Sequence, residues 1–129
     1  MGATPRAIGE ITAEWLGSAI GCSIRNIAID QIGAGVGFMG QLARVRFDAN
    51  GLPRSVIVKI PSPDPGAQMI GGMMRVWERE HRFYTDVVSK VRSVRTPRCL
   101  FAHDDPYVLV LEDLAPAASG DQVAGPTAE

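Results

Sequence analysis

An Asn-Gly pair at positions 50 and 51 stands between two runs of strand-forming residues, and it limits the possible folds more than any other feature. Both residues of such a pair reach positive φ readily, which suits the tight reversal of a β-hairpin. Before it, Leu42, Val45 and Phe47 mix with Arg44 and Arg46. After it, Ser55 to Ile60 is apolar and β-branched apart from Ser55 and Lys59. A third run, Ile24 to Ile32, places Ile24, Ile27, Ile29 and Ile32 in imperfect alternation and leads into glycines at 33, 35, 37 and 40. Two hairpin connections in succession predict an antiparallel meander rather than a parallel sheet.

Around this meander the pattern changes period. Ile11, Trp15, Leu16, Ala19 and Ile20 fall at helical spacing between a Thr12 N-cap and a Gly21 stop, predicting a short amphipathic helix. Pro61-Ser62-Pro63-Asp64-Pro65-Gly66 cannot continue a central strand, because proline lacks the donor N–H, and reads as a linker out of the sheet. From Gln68 to Val91 apolar residues recur every three or four positions, the pattern of one long helix with Gly71-Gly72 as a point of division. Thr96-Pro97 closes it. Cys99 to Ala102 and Tyr107 to Leu111 read as strands joined by a His103-Asp104-Asp105-Pro106 turn. The expected fold class is α+β: a five-stranded antiparallel sheet with one long packed helix and a short N-terminal helix. Residues 1-114 make up this unit, and residues 115-129, small and turn-rich, form a flexible tail.

With 129 residues there is room for one domain, and 46% apolar residues suit a globular chain. Thirteen basic and fourteen acidic side chains leave a net charge of −1, so no global field favours nucleic acid or an anionic membrane. The charge is uneven. Arg75 to Arg98 carries seven basic and three acidic residues, and His103 to Glu129 carries six acidic residues and no Lys or Arg, a pattern expected of a solvated helix face and an acidic tail. Two cysteines, Cys22 and Cys99, are too few and too distant for a disulfide framework or a metal site, which points to a reducing, cytoplasmic setting. Pro5, Arg6, Glu10 and Glu14 interrupt any leader-like apolar stretch, and the longest apolar run, Tyr107 to Leu111, is too short to span a membrane.

Gly35-Val36-Gly37-Phe38-Met39-Gly40 matches G-x-G-x-x-G, but a dinucleotide site needs a helix directly after the glycines, and a strand pattern follows here. In a strand-loop-strand setting the same glycines let backbone N–H groups close over phosphates. Lys59 lies in Val56-Ile57-Val58-Lys59-Ile60, where strand alternation sends Val58 and Ile60 to one face and Lys59 with Ile57 to the other. An ammonium on a mostly apolar strand requires a charged partner. Glu80, three residues before Phe83 on the apolar side of the following helix, is the natural candidate, with Glu78 solvated.

These segments together, with Glu80-His81-Arg82-Phe83-Tyr84, Thr96-Pro97-Arg98-Cys99 and Leu109-Val110-Leu111-Glu112-Asp113-Leu114, resemble the small lobe of the aminoglycoside phosphotransferase and ecdysteroid-kinase-like families, within the protein-kinase-like fold. The resemblance runs from about Ile11 to Gly125. It implies that Lys59 contacts the α/β-phosphates of ATP, that Glu80 orients Lys59, and that Gly33, Gly35 and Gly37 cover the phosphates. It also implies that Leu111 to Leu114 acts as a hinge, with the Glu112 carbonyl and the Leu114 N–H meeting the adenine edge. The Glu112 and Asp113 side chains there either cap the following turn or touch nucleotide.

In such families the acceptor-orienting aspartate and the Mg²⁺ ligands belong to a second lobe, of which residues 115-129 would be the start. The resemblance therefore implies a nucleotide-binding lobe that is catalytically incomplete on its own, within an enzyme phosphorylating a small-molecule hydroxyl. No catalytic or metal-binding residue is assigned within the chain. Lone His81, the His103-Asp104-Asp105 turn and the two cysteines read as structural. A missing lobe would leave an apolar patch around Leu109 to Leu114 and the end of the long helix, favouring a homodimer. The alternative is a non-enzymatic interaction or regulatory module in which Lys59 and Glu80 form a structural pair.

Overall fold

The computed structural model describes residues 2–34, 39–117 and 123–125. Five strands, β1 (Ile24–Ile32), β2 (Gly40–Ala49), β3 (Leu52–Pro61), β4 (Cys99–Asp104) and β5 (Tyr107–Glu112), form one antiparallel sheet in the order β1-β2-β3-β5-β4. The β2–β3 reversal uses the left-handed backbone of Asn50 and Gly51, at φ 53° and 75°, and runs without a register shift from Ala49 opposite Leu52 to Gly40 opposite Pro61. The uneven isoleucine spacing of β1 has a local cause. A bulge between Arg25 and Ala28, with Asn26 at φ 53°, shifts the alternation so that Ile24, Ile27 and Ile29 all lie towards one core.

Helix α1 (Ala13–Ile20) starts where expected: the Trp15 N–H donates to Thr12 Oγ1 at 3.1 Å, and Gly21 ends the helix at φ 74°. Trp15 and Leu16 are fully buried against Ala43, Val45, Val56, Val58, Ile60, Val108 and Val110, and the Trp15 ring meets Phe101 edge to face at 5.9 Å. This is the larger of two cores, one on each face of the sheet.

The second helical region is built differently from the single rod its periodicity suggests. Helix α2 (Pro65–Met73) begins inside the proline-rich segment, because Asp64 caps it through the Ala67 N–H at 2.8 Å and Pro65 takes the first-turn position where no N–H is needed. The division from α3 (Val76–Arg82) falls at Arg75, in left-handed backbone at φ 55° and ψ 39°, and not at Gly71-Gly72. Gly71 serves packing instead: a Cβ there would lie 2.5 Å from Cη2 of Trp77. After α3 the chain runs through a π-helical turn, Phe83–Val87, and a 3₁₀ turn, Val88–Lys90.

These breaks redistribute the apolar residues. Met69 and Met73 are 64% and 80% exposed, whereas Trp77 and Tyr84 pack with Ile57 and Cys99 against Tyr107, Leu109 and Leu111 in the second core. The apolar patch expected around Leu109 to Leu114 is therefore covered at Leu109 and Leu111. Four exposed apolar side chains lie on and just beyond α2, at Met69, Ile70, Met73 and Met74, and Val87 near the end of the helical region is exposed as well. Among the described residues no helix is long and apolar enough to cross a membrane.

Candidate functional site

Two cross-strand rows define the face of the sheet that carries Lys59. Register sets Ile32, Leu42, Lys59, Leu109 and Ala102 side by side, and the neighbouring row holds Asp30, Arg44, Ile57, Leu111 and Cys99. Helix α3 covers this face over β4 and β5, while Ile32, Leu42 and Ile57 remain half-buried. The alternation expected in β3 holds: Val58 and Ile60 are fully buried beneath α1, and Lys59 points to the opposite face with Ile57.

Lys59 Nζ donates to Glu80 Oε1 at 2.7 Å, with the two side chains 28% and 23% exposed. The partner inferred from sequence is the partner found. The second carboxylate oxygen is also taken, because the Tyr107 hydroxyl donates to Glu80 Oε2 at 2.7 Å. Tyr107, the first residue of β5, is 5% exposed. Its phenol is held well above the ordinary tyrosine range, first by burial and then by its bond to the Glu80 carboxylate. Sequence reasoning missed this residue as part of the site. The available signal was strand alternation, which puts Tyr107 on the same face as Leu109, beside Lys59.

The glycines contribute unequally. Gly33 follows β1 at φ 64°, a left-handed conformation that glycine adopts without strain. Gly35 and Gly37 lie outside the described residues. Gly40 opens β2, so a strand and not a helix follows the glycine cluster. A Cβ at Gly40 would lie 3.2 Å from Cε of Lys59, so this glycine leaves room for the lysine stem, a role the G-x-G-x-x-G spacing alone did not assign.

The segment from Leu111 to Leu114 is anchored by its side chains. The Glu112 carboxylate accepts the Arg98 N–H at 3.0 Å and meets Arg95 at 2.9 Å, and these contacts lower its pKa, the Arg98 bond most. Asp113 Oδ2 accepts from Arg44 Nε at 2.8 Å and from the Ser55 hydroxyl at 2.7 Å, and Oδ1 caps the next turn through the Ala115 N–H at 3.0 Å. The Arg44 guanidinium, above all, holds the Asp113 carboxyl down to about 2. Of the two readings for these acidic side chains, the turn-capping one describes Asp113. Leu114 is half-buried, and its carbonyl accepts the Ala117 N–H at 3.0 Å.

The remaining candidates have structural surroundings. Glu78 is 43% exposed and pairs with Arg75 and Arg82. His103 lies within bonding distance of the Pro106 carbonyl through Nδ1, at 3.0 Å, and stacks on Phe101. Burial pushes the Cys99 thiol up, the direction opposite to nucleophile activation. Among the described residues no group of three or more His, Cys, Asp or Glu gathers as a metal site. A cavity of about 920 Å³, not lined by Lys59, lies between α2, α3 and the β4–β5 turn. Trp77, His81 and Tyr107 are among its lining residues, so Tyr107 borders both this cavity and the Lys59–Glu80 pair.

Scans against protein-family models, curated proteins and solved structures find no match to this chain.

Proposed function

We propose that the chain is the nucleotide-binding lobe of a small-molecule phosphotransferase, with ATP on the open face of the sheet beside Lys59. The observation that carries this reading is the 2.7 Å Lys59–Glu80 pair at the edge of a half-buried apolar shelf. An ammonium bonded to a carboxylate is held in a fixed direction, which is what contact with the α/β-phosphates requires. The shelf of Ile32, Leu42 and Ile57 offers an apolar surface to a purine. Gly40, at the start of β2, stands at the lysine end of the shelf and leaves space for its side chain.

The residues present fit the base and phosphates of a nucleotide. Phosphoryl transfer also needs an aspartate to orient the acceptor hydroxyl and ligands for Mg²⁺, functions that the sequence resemblance assigns to a second lobe. A lobe holding only the shelf and the lysine binds nucleotide weakly; a millimolar dissociation constant corresponds to about 4 kcal/mol.

The test is titration of the chain with ATP, followed by NMR, for the native sequence and for Lys59→Met. Shifts at Ile32, Leu42 and Ile57 that weaken at least tenfold in the folded variant support the reading. Absence of any shift at millimolar ATP overturns it. The second reading, an interaction module with a structural Lys59–Glu80 pair, draws on the carboxylate being fully satisfied by Lys59 and Tyr107 without a ligand. It is favoured if Lys59→Met unfolds the chain and no nucleotide binds.

A further inference from the structure

A carboxylate held by one lysine can still swing about its own side-chain torsions. Glu80 has little help from its helix, since α3 spans only Val76 to Arg82, enters from left-handed Arg75 and leaves through a π-helical turn. The sheet opposite it is far more fixed: every residue from Tyr107 to Leu111 is buried, and β5 is paired on both sides, with β3 and β4. The Tyr107 hydroxyl is thus a rigidly mounted donor, 2.7 Å from the one oxygen of Glu80 that Lys59 does not use.

From this geometry we infer that Tyr107 is a positioning residue: it fixes the Glu80 carboxylate independently of Lys59, so that Glu80 stays in register while the lysine engages phosphate. The inference rests on the nucleotide reading above for its functional consequence, and on the hydrogen-bond geometry alone for its structural part. The two oxygens divide the work. Oε1 directs Lys59, and Oε2 ties α3 to β5. Tyrosine suits the second task because it brings a neutral donor, which adds no charge to compete with Lys59 for the carboxylate.

The experiment compares Tyr107→Phe in two backgrounds, native and Glu80→Ala, in the full chain, with ATP as the probe. A hydrogen bond to a charged group supports a loss of about tenfold in ATP affinity for Tyr107→Phe in the native background. No further loss is expected in Glu80→Ala, where the acceptor is already gone. A similar loss in both backgrounds, or none in the native one, overturns the assignment. A second readout needs no nucleotide: the NMR signal of the Lys59 ammonium, slowed in exchange by its bond to Glu80, should broaden in Tyr107→Phe. If the chain binds no ATP, the nucleotide reading fails alone. The ammonium signal then decides, and an unchanged signal in Tyr107→Phe removes the positioning role.

Discussion

The carboxylate of Asp113, one residue beyond β5, meets the guanidinium of Arg44 on β2 at 2.8 Å, with β3 lying between their strands. Ser55 on β3 completes the link at 2.7 Å, so a single side chain ties three strands at the exit from the sheet. The Asp113 side chain is 5% exposed and Arg44 is 27% exposed.

The Asp113 carboxyl titrates at about 2 in the fold against 3.8 when free. Its pKa is depressed, so its contribution is complete above the unfolded value and disappears as pH falls through the folded one. Allowing for solvent screening at Arg44, this is on the order of 1 kcal/mol. Asp113→Asn should therefore lower stability at neutral pH and flatten its dependence between about pH 4 and pH 2. Urea denaturation at several pH values checks this; parallel curves for the variant and native chains would contradict it.

The adjacent glycines of α2 should respond in opposite directions. Gly71→Ala forces a methyl against the Trp77 indole, at 2.5 Å from Cη2, and should cost about 1–3 kcal/mol through overpacking. Gly72 meets nothing within 4 Å, so Gly72→Ala should gain up to about 1 kcal/mol from helix propensity. Thermal melts of the two variants give the comparison, and an equal response would place the Trp77 ring elsewhere.

Arg75 occupies left-handed backbone between α2 and α3. Its ion pair with Glu78 is largely exposed and adds little. Arg75→Gly should stabilise by about 0.5–1 kcal/mol, and Arg75→Val, β-branched at positive φ, should destabilise by about 1–2 kcal/mol. If valine is tolerated as well as glycine in chemical denaturation, the break between the helices lies at another residue.

Both tyrosines, Tyr84 and Tyr107, have raised pKa values, chiefly from burial. A raised folded value means that the stabilising contribution is whole below the free tyrosine pKa of about 10 and is lost as pH climbs above it. Tyrosinate absorption should therefore be suppressed near pH 10 in the folded chain and emerge together with loss of circular dichroism at higher pH. Ionisation near pH 10 with the fold intact would mean that both rings reach solvent.

Much of the fold was legible because it rests on local chemistry. Asn50-Gly51, Thr12 and Gly21 mark their boundaries through backbone preferences that act within a few residues, and the pairing of Lys59 with Glu80 follows from alternation plus the cost of an unpaired ammonium. Long-range packing was less readable. Arg75 carries no propensity for left-handed backbone, and the fit of Gly71 against Trp77 depends on how two helices meet. Tyr107 read as one more apolar strand residue because its hydroxyl acquires a role only when α3 brings Glu80 to it. Asp113 likewise needs Arg44, 69 residues away in sequence.

The irregularity in β1 bears on how the molecule behaves in a crowd. Among the described residues this outermost strand pairs with β2 alone, and its outer rim is where a foreign strand would add. Asn26, turned to positive φ and bonded to Asp48 at 2.7 Å, interrupts that rim, and the exposed Arg25 beside it adds charge. A twisted, charged border makes a poor template, so the sheet resists edge-to-edge polymerisation into fibrils along this side.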